Sequence, residues 1–248
     1  MPTEAPKVDW ERVKACLVAL HREARPFLSR AMLIGGAACW FYRHLLERAA
    51  DPDFPVPVAS PGDEARWLSK DLDFTGIFSA DAAALLPQLL TRDANGREYL
   101  AVEGVRLGFA QVGLTIDPEA ARETCWVAQV TGPDGEPVEF FVADPVTLYR
   151  EKLALTERRN APADSLHLAL LREFVRHEVC VQASALLAGQ ALADAKWTLN
   201  FLLQVRDRAG EVLDDDRVRR RLGKAPLANS ANTSDLALID ELANVRLG

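Results

Sequence analysis

No run of apolar residues in this 248-residue chain approaches the roughly 20 needed to cross a bilayer as a helix. Met1 to Trp10 has no apolar signal core, so no secretory leader is expected. Cysteine is scarce and scattered. Cys16, Cys39, Cys125 and Cys180 lie far apart in apolar surroundings, and no Cys-x-x-Cys pair exists. That argues against a zinc site or a disulfide framework, and buried free thiols in a reducing cytoplasm are the expectation. Positive charge is also in short supply. A net charge of −7 and a pI of about 5.2 exclude broad, non-specific nucleic-acid binding and leave only a local basic patch open. No internal repeat and no low-complexity tract occurs. What remains is 49% hydrophobic and 26% charged, ordinary for a soluble globular chain of one large or two modest domains.

Two stretches carry the chemistry. Ala31-Met32-Leu33-Ile34 is a short apolar run stopped by Gly35 and Gly36, and an amphipathic helix is expected from about Ala37 to Ala49. Later, Lys70-Asp71-Leu72-Asp73-Phe74 alternates carboxylates with apolar residues. A strand has a side-chain period of 2, so Asp71 and Asp73 share one face while Leu72 and Phe74 enter the core. Like charges about 7 Å apart on one face are costly unless something positive lies between them. Hard carboxylate oxygens suit Mg²⁺ or Mn²⁺. A glycine turn opening a helix lets backbone N–H groups approach phosphates. The plainer reading, two aspartates on the solvent face of an exposed strand, stays open.

Taken in order, Val8 to Leu28 reads as a helix that Pro26 brings to an end. Asp51 to Asp63, broken by Pro52, Pro55, Pro57, Pro61 and Gly62, is a long loop, either a flap beside the site or a solvated insertion. Ser79 to Arg92 looks helical, with Ser79 able to cap it. Tyr99 to Ile116 is strand-like, with Gly104 and Gly108 as turn or bulge points. Thr124 to Val130 and Pro137 to Val142 form a hairpin around Gly132-Pro133-Asp134-Gly135. From Pro145 the pattern turns helical: Pro145 to Arg158, Asp164 to Arg176, Val179 to Leu187 and Ala191 to Val205. The expected architecture is α+β, a mixed or antiparallel sheet with helices on one side over residues 1–144, then a helical region over 145–248. Asp214-Asp215-Asp216 followed by Arg217, Arg219, Arg220 and Arg221 reads as a solvated helix with a basic face, open to an RNA contact.

The Gly-Gly turn followed by an Asp-x-Asp strand resembles the nucleotidyltransferase superfamily with the polymerase-beta-like fold. Glu151, Lys152, Leu153 and Arg158, with Asp164 opening the next helix, narrow the resemblance to the abortive-infection AbiEii-type nucleotidyltransferases, toxin partners of bacterial toxin–antitoxin pairs. Ser69 also matches that family's strand motif. The resemblance covers about Leu33 to Leu171. It implies a transferase that moves a nucleoside monophosphate from a nucleoside triphosphate to a hydroxyl on a tRNA end, a protein or a small molecule such as an aminoglycoside. It further implies Mg²⁺ or Mn²⁺ on Asp71 and Asp73, triphosphate contacts from Gly35, Gly36 and Ser69, and Lys152 neutralising phosphate. A cognate antitoxin and no membrane complete the expected partners.

Within the resemblance, Arg158 would hold the acidic strand or the phosphates while Arg159 is solvated. Asp164 would cap its helix, and His167 would be structural, a base or a phosphate contact. Such enzymes use a third carboxylate on a neighbouring strand, for which Glu139 and Asp117 are the candidates, with Gln111 at an otherwise suitable place. Without that acid, the same fold would serve as a nucleotide-sensing or partner-binding module.

Overall fold

The computed structural model describes residues 8–58, 70–110, 116–159, 161–187 and 195–222. Helix α1 (Trp10–Leu28) is capped by Asp9, whose carboxylate accepts from the Arg12 N–H at 2.9 Å. Strand β1 (Met32–Ile34) runs straight into α2 (Gly35–Ala49), which begins two residues earlier than periodicity suggests. Strand β2 (Asp71–Thr75) follows the proline-rich stretch, of which residues 51–58 form no regular element.

The expected helix from Ser79 to Arg92 is instead three pieces: α3 (Ser79–Leu85), a single 3₁₀ turn (Pro87–Leu89) and strand β3 (Leu90–Arg92). Pro87 is the cause. It lacks an N–H and disfavours helical geometry at the residue before it, and Leu86 accordingly sits at φ −127°. Ser79 lies inside the first turn and makes no capping bond. Strands β4 (Glu98–Val102) and β5 (Val105–Phe109) are joined by a tight turn at Glu103-Gly104. A short α4 (Pro118–Thr124) precedes the expected hairpin, β6 (Trp126–Thr131) and β7 (Pro137–Val142).

The remaining described elements are α5 (Pro145–Arg158), α6 (Pro162–Leu187), α7 (Ala195–Ala209), a 3₁₀ turn (Gly210–Leu213) and α8 (Asp216–Leu222). α6 is continuous where the sequence pattern suggests two helices. None of the described helices is long and apolar enough to cross a membrane.

The strands form one seven-stranded mixed sheet in the order β3-β4-β5-β2-β1-β7-β6. β1 pairs parallel to β7, β2 pairs parallel to β5, and the other pairings are antiparallel. Register puts Leu33, Phe74, Phe109 and Val142 on one face. α1 and α2 cover that face: Phe27 packs edge-on against Phe74 at 5.1 Å, and Phe41 against Phe140 at 5.8 Å. α6 then packs on the outer side of α2, with Phe174 and Tyr42 rings 4.7 Å apart. The opposite face carries Ile34, Asp71, Asp73, Arg106 and Gly108.

Candidate active site

Asp73 is the centre of the site. Leu72 and Phe74 are fully buried on the helix-covered face, which turns Asp71 and Asp73 to the other, as alternation requires. Asp73 pairs with Ile34 on one side and Gly108 on the other. Both flanking glycines make room for its carboxylate. A Cβ at Gly35 would stand 2.6 Å from Oδ2, and one at Gly108 would stand 2.3 Å from Oδ1. Gly35 also adopts φ +68°, a conformation that L side chains rarely take. Gly108 is therefore no turn or bulge. It is an in-strand gap that the Asp73 side chain fills, a role that the local sequence pattern does not signal.

Burial, and after it the neighbouring Asp71 charge, pushes the Asp73 carboxyl up from 3.8 to about 6. Lys152 and Arg159 pull in the opposite direction without overcoming this. Lys152 stands midway along α5, and Arg159 just past its C-terminal end. β1 and β7 are parallel, so the helices that follow them begin at the same edge. Asp144 caps α5 by accepting from the Thr147 N–H at 2.9 Å, and Pro145 occupies the first turn. α2 starts there too, with no side chain capping its first N–H groups.

Lys152 is 5% exposed, and its Nζ lies 2.9 Å from Asp164 Oδ1. Arg159 Nε donates to Asp164 Oδ2 at 2.8 Å. Burial alone would raise the Asp164 carboxyl, but the hydrogen bonds and charges of Arg159 and Lys152 outweigh it and hold Asp164 below the ordinary range. Asp164 therefore serves as an anchor for two cations and not as a helix cap. Both arginines are exposed, as expected of Arg159, but it is Arg159 and not Arg158, on the last turn of α5, that pairs with Asp164. Helix α5 ends at Arg158, and Arg159 leaves it in extended geometry (φ −135°), which swings its side chain towards Asp164. His167, on α6, is 4% exposed.

The two candidates for a third acid lie elsewhere. Asp117 caps α4, accepting from the Glu119 N–H at 3.0 Å. Glu139 shares the face of Asp73 but is at the wrong end of it. Parallel pairing of Met32 with Phe141 sets Glu139 level with Arg30, four residues below Ile34, so about 13 Å along the strands from the level of Asp73. On β5 the positions facing Asp71 and Asp73 are Arg106 and Gly108. Among the described residues, no group of three His, Cys, Asp or Glu side chains is placed to hold a metal. Ser69 and Gln111 lie outside the described residues.

The run around Asp215 is a capped helix, Asp215 accepting from the Arg217 N–H at 2.8 Å, with Arg220 exposed, but it is not solvated throughout. Arg217 bonds Asp215, Glu173 and the Asp53 carbonyl and lies over the Phe54 ring, while Arg221 pairs with Asp51. Compared with family models, curated proteins and solved structures, the chain matches none.

Proposed function

We propose that this chain is a metal-dependent nucleotidyltransferase acting from the sheet face that carries Asp71 and Asp73. One observation carries the reading. Two aspartates share one face, and the inner one is wedged between two glycines in a setting that disfavours its charge. A pair of hard carboxylates fits Mg²⁺ or Mn²⁺, since Mg²⁺ is commonly held by one or two carboxylates together with substrate phosphates. Asp71 and Asp73 would hold it, and the bound ion would supply Lewis-acid polarisation of the triphosphate.

The protein groups divide the remaining work. The uncapped N–H groups at the start of α2 would attract anionic oxygens, and Gly35 and Gly36 keep side chains out of the approach. Lys152 and Arg159, both fixed by Asp164, supply positive charge on the flank where pyrophosphate would develop. Asp164 thus acts as a positioning residue.

The test is pyrophosphate release with each of the four ribonucleoside triphosphates, Mg²⁺ and a tRNA pool. The intact chain is compared with Asp71→Asn/Asp73→Asn. Release that falls at least a thousandfold in the double variant is expected. The reading that competes is a nucleotide-sensing module, favoured by Arg106 and Gly108 standing on β5 where a third acid would face the pair. Mg²⁺-dependent nucleotide binding with no release from either protein would select it.

A further inference from the structure

The geometry points to Arg106 and Tyr99 as the acceptor side of this site, and to a nucleotide unit as the acceptor. The inference rests on the transferase reading above. Arg106 pairs directly with Asp71 across β2 and β5, one strand spacing or about 5 Å away. It also pairs with Ala101 on β4. Tyr99, two residues before Ala101, therefore projects from the same face by strand alternation. The Arg106 guanidinium lies over the Tyr99 ring, 5.4 Å from its centre. Arg106 is exposed and Tyr99 half-buried, and no ion pair engages Arg106 among the described residues. From the half-buried carboxylates this face therefore continues onto an exposed cation and an aromatic ring.

The direction of the reaction assigns this flank. The acceptor hydroxyl oxygen forms a bond to the α-phosphorus of the nucleoside triphosphate. The bridging oxygen between the α and β phosphorus atoms takes the electron pair of the breaking P–O bond and leaves as pyrophosphate, and the hydroxyl proton passes to water. Attacking and leaving oxygens lie roughly in line. Lys152 and Arg159 attract the leaving group from the α5–α6 side. The attacking hydroxyl must then arrive from the opposite side of the pair, where β5 and β4 present Arg106 and Tyr99.

Their chemistry selects among acceptors. A guanidinium meets phosphate bidentately, and the Arg106 guanidinium laid over the Tyr99 ring is a cation–aromatic pair of the kind on which nucleobases stack without regard to sequence. A nucleotide unit offers both a phosphate and a base, whether free or as the end of a single strand. A polycationic aminoglycoside would be repelled by Arg106.

The experiment measures binding, not turnover. A fluorescein-labelled single-stranded trinucleotide RNA with a free 3′ hydroxyl is titrated by anisotropy against the full chain and against Arg106→Gln, Tyr99→Ala and Tyr99→Phe. Nucleoside triphosphate binding with Mg²⁺ is measured on the same proteins. Arg106→Gln and Tyr99→Ala should each weaken trinucleotide binding about tenfold and leave triphosphate affinity within twofold. Tyr99→Phe keeps the ring and should stay within twofold throughout. Both positions are exposed or half-buried, and circular dichroism checks the folding of each variant. Competition by free AMP as strong as that of the unlabelled trinucleotide identifies a free nucleotide acceptor; much weaker competition identifies a strand end. Failure of the intact chain to bind either probe, unchanged affinity in the variants, or an equal loss of triphosphate binding overturns the assignment. Pyrophosphate release with unaffected acceptor binding would sink the subsite alone. Loss of trinucleotide binding in the variants, with no release from any protein, would sink the transferase reading and with it the acceptor role, leaving Arg106 and Tyr99 as a nucleotide-binding surface only.

Discussion

Asp73 and Asp215 are both half-buried aspartates within reach of arginine, yet they titrate in opposite directions. Burial and the Asp71 charge push Asp73 up to about 6. Hydrogen bonds from Arg217, with the Arg176 charge added, bring Asp215 down to about 2. Around Asp215 the donors are matched to acceptors: Arg217 at 2.7 Å, Arg176 at 3.1 Å, and a backbone N–H at 2.8 Å. Around Asp73 the sheet supplies glycines where donors could have stood. The nearby cations are instead tied to Asp164. The first arrangement fastens the segment after α2 to α8. The second keeps acceptor oxygens available at a cost to folding, which is how binding sites differ from struts.

The largest break in this contrast comes from Asp164. Its carboxylate and the Lys152 ammonium are 4% and 6% exposed. Removing one partner of such a buried pair leaves an uncompensated charge and costs about 3–5 kcal/mol. Asp164→Asn should lower the urea midpoint accordingly. A loss below about 1 kcal/mol would mean that Lys152 reaches water and that the anchor is dispensable.

Asp73→Asn should act with the opposite sign. An acid raised from 3.8 to about 6 on folding binds more protons in the folded than in the unfolded state between those values. Wild-type stability therefore falls as pH rises through that window, and the penalty is fully present above it. Replacing the carboxylate by an amide should stabilise the metal-free protein by on the order of 2 kcal/mol at pH 8 and flatten the profile between about pH 4 and 6. Urea midpoints at five pH values decide it, and a destabilised variant at pH 8 would refute the account of Asp73. Gly108→Ala is milder. Its Cβ would stand 2.3 Å from Oδ1, so the carboxylate must move. Overpacking of about 1–2 kcal/mol and at least a tenfold loss of Mg²⁺-dependent nucleotide affinity are expected, read by denaturation and by titration.

Local chemistry alone makes much of this fold legible in the sequence. The start of α5 is written in Asp144-Pro145, a cap followed by a residue preset for the first turn, and its bounds are as read. The β6–β7 hairpin follows from Gly132 to Gly135. Alternation alone puts Asp71 and Asp73 on one face. What stays hidden depends on pairings between distant segments. Gly108 looks like a turn glycine until β5 is known to lie beside β2, because only then does Asp73 stand opposite it. Arg158 and Arg159 are equivalent by composition, and the helix end between them decides which one meets Asp164. Leu90–Arg92 reads as helix because apolar spacing outweighs one proline in the pattern, whereas the backbone obeys the proline.

The charge run at Asp214 to Arg221 misleads for the same reason, and Asp215 offers the smallest and sharpest test. On its own helix, Arg217 looks solvated. In the fold it bridges Asp215, Glu173 and the Asp53 carbonyl, and covers the fully buried Phe54 ring at 5.3 Å. The Asp215 carboxyl, lowered to about 2 from 3.8, contributes stability that is present above about pH 4 and is lost as pH falls through about 2. Asp215→Asn should thus cost about 1 kcal/mol at pH 7, kept modest because Arg217 retains Glu173 and because partly exposed pairs are screened. The difference from wild type should shrink towards pH 2, the reverse of the trend at Asp73. Nucleotide affinity should not change, since the staple touches no site residue. If Asp215→Asn weakened triphosphate binding as much as it weakened folding, the line drawn between strut and site would be in the wrong place.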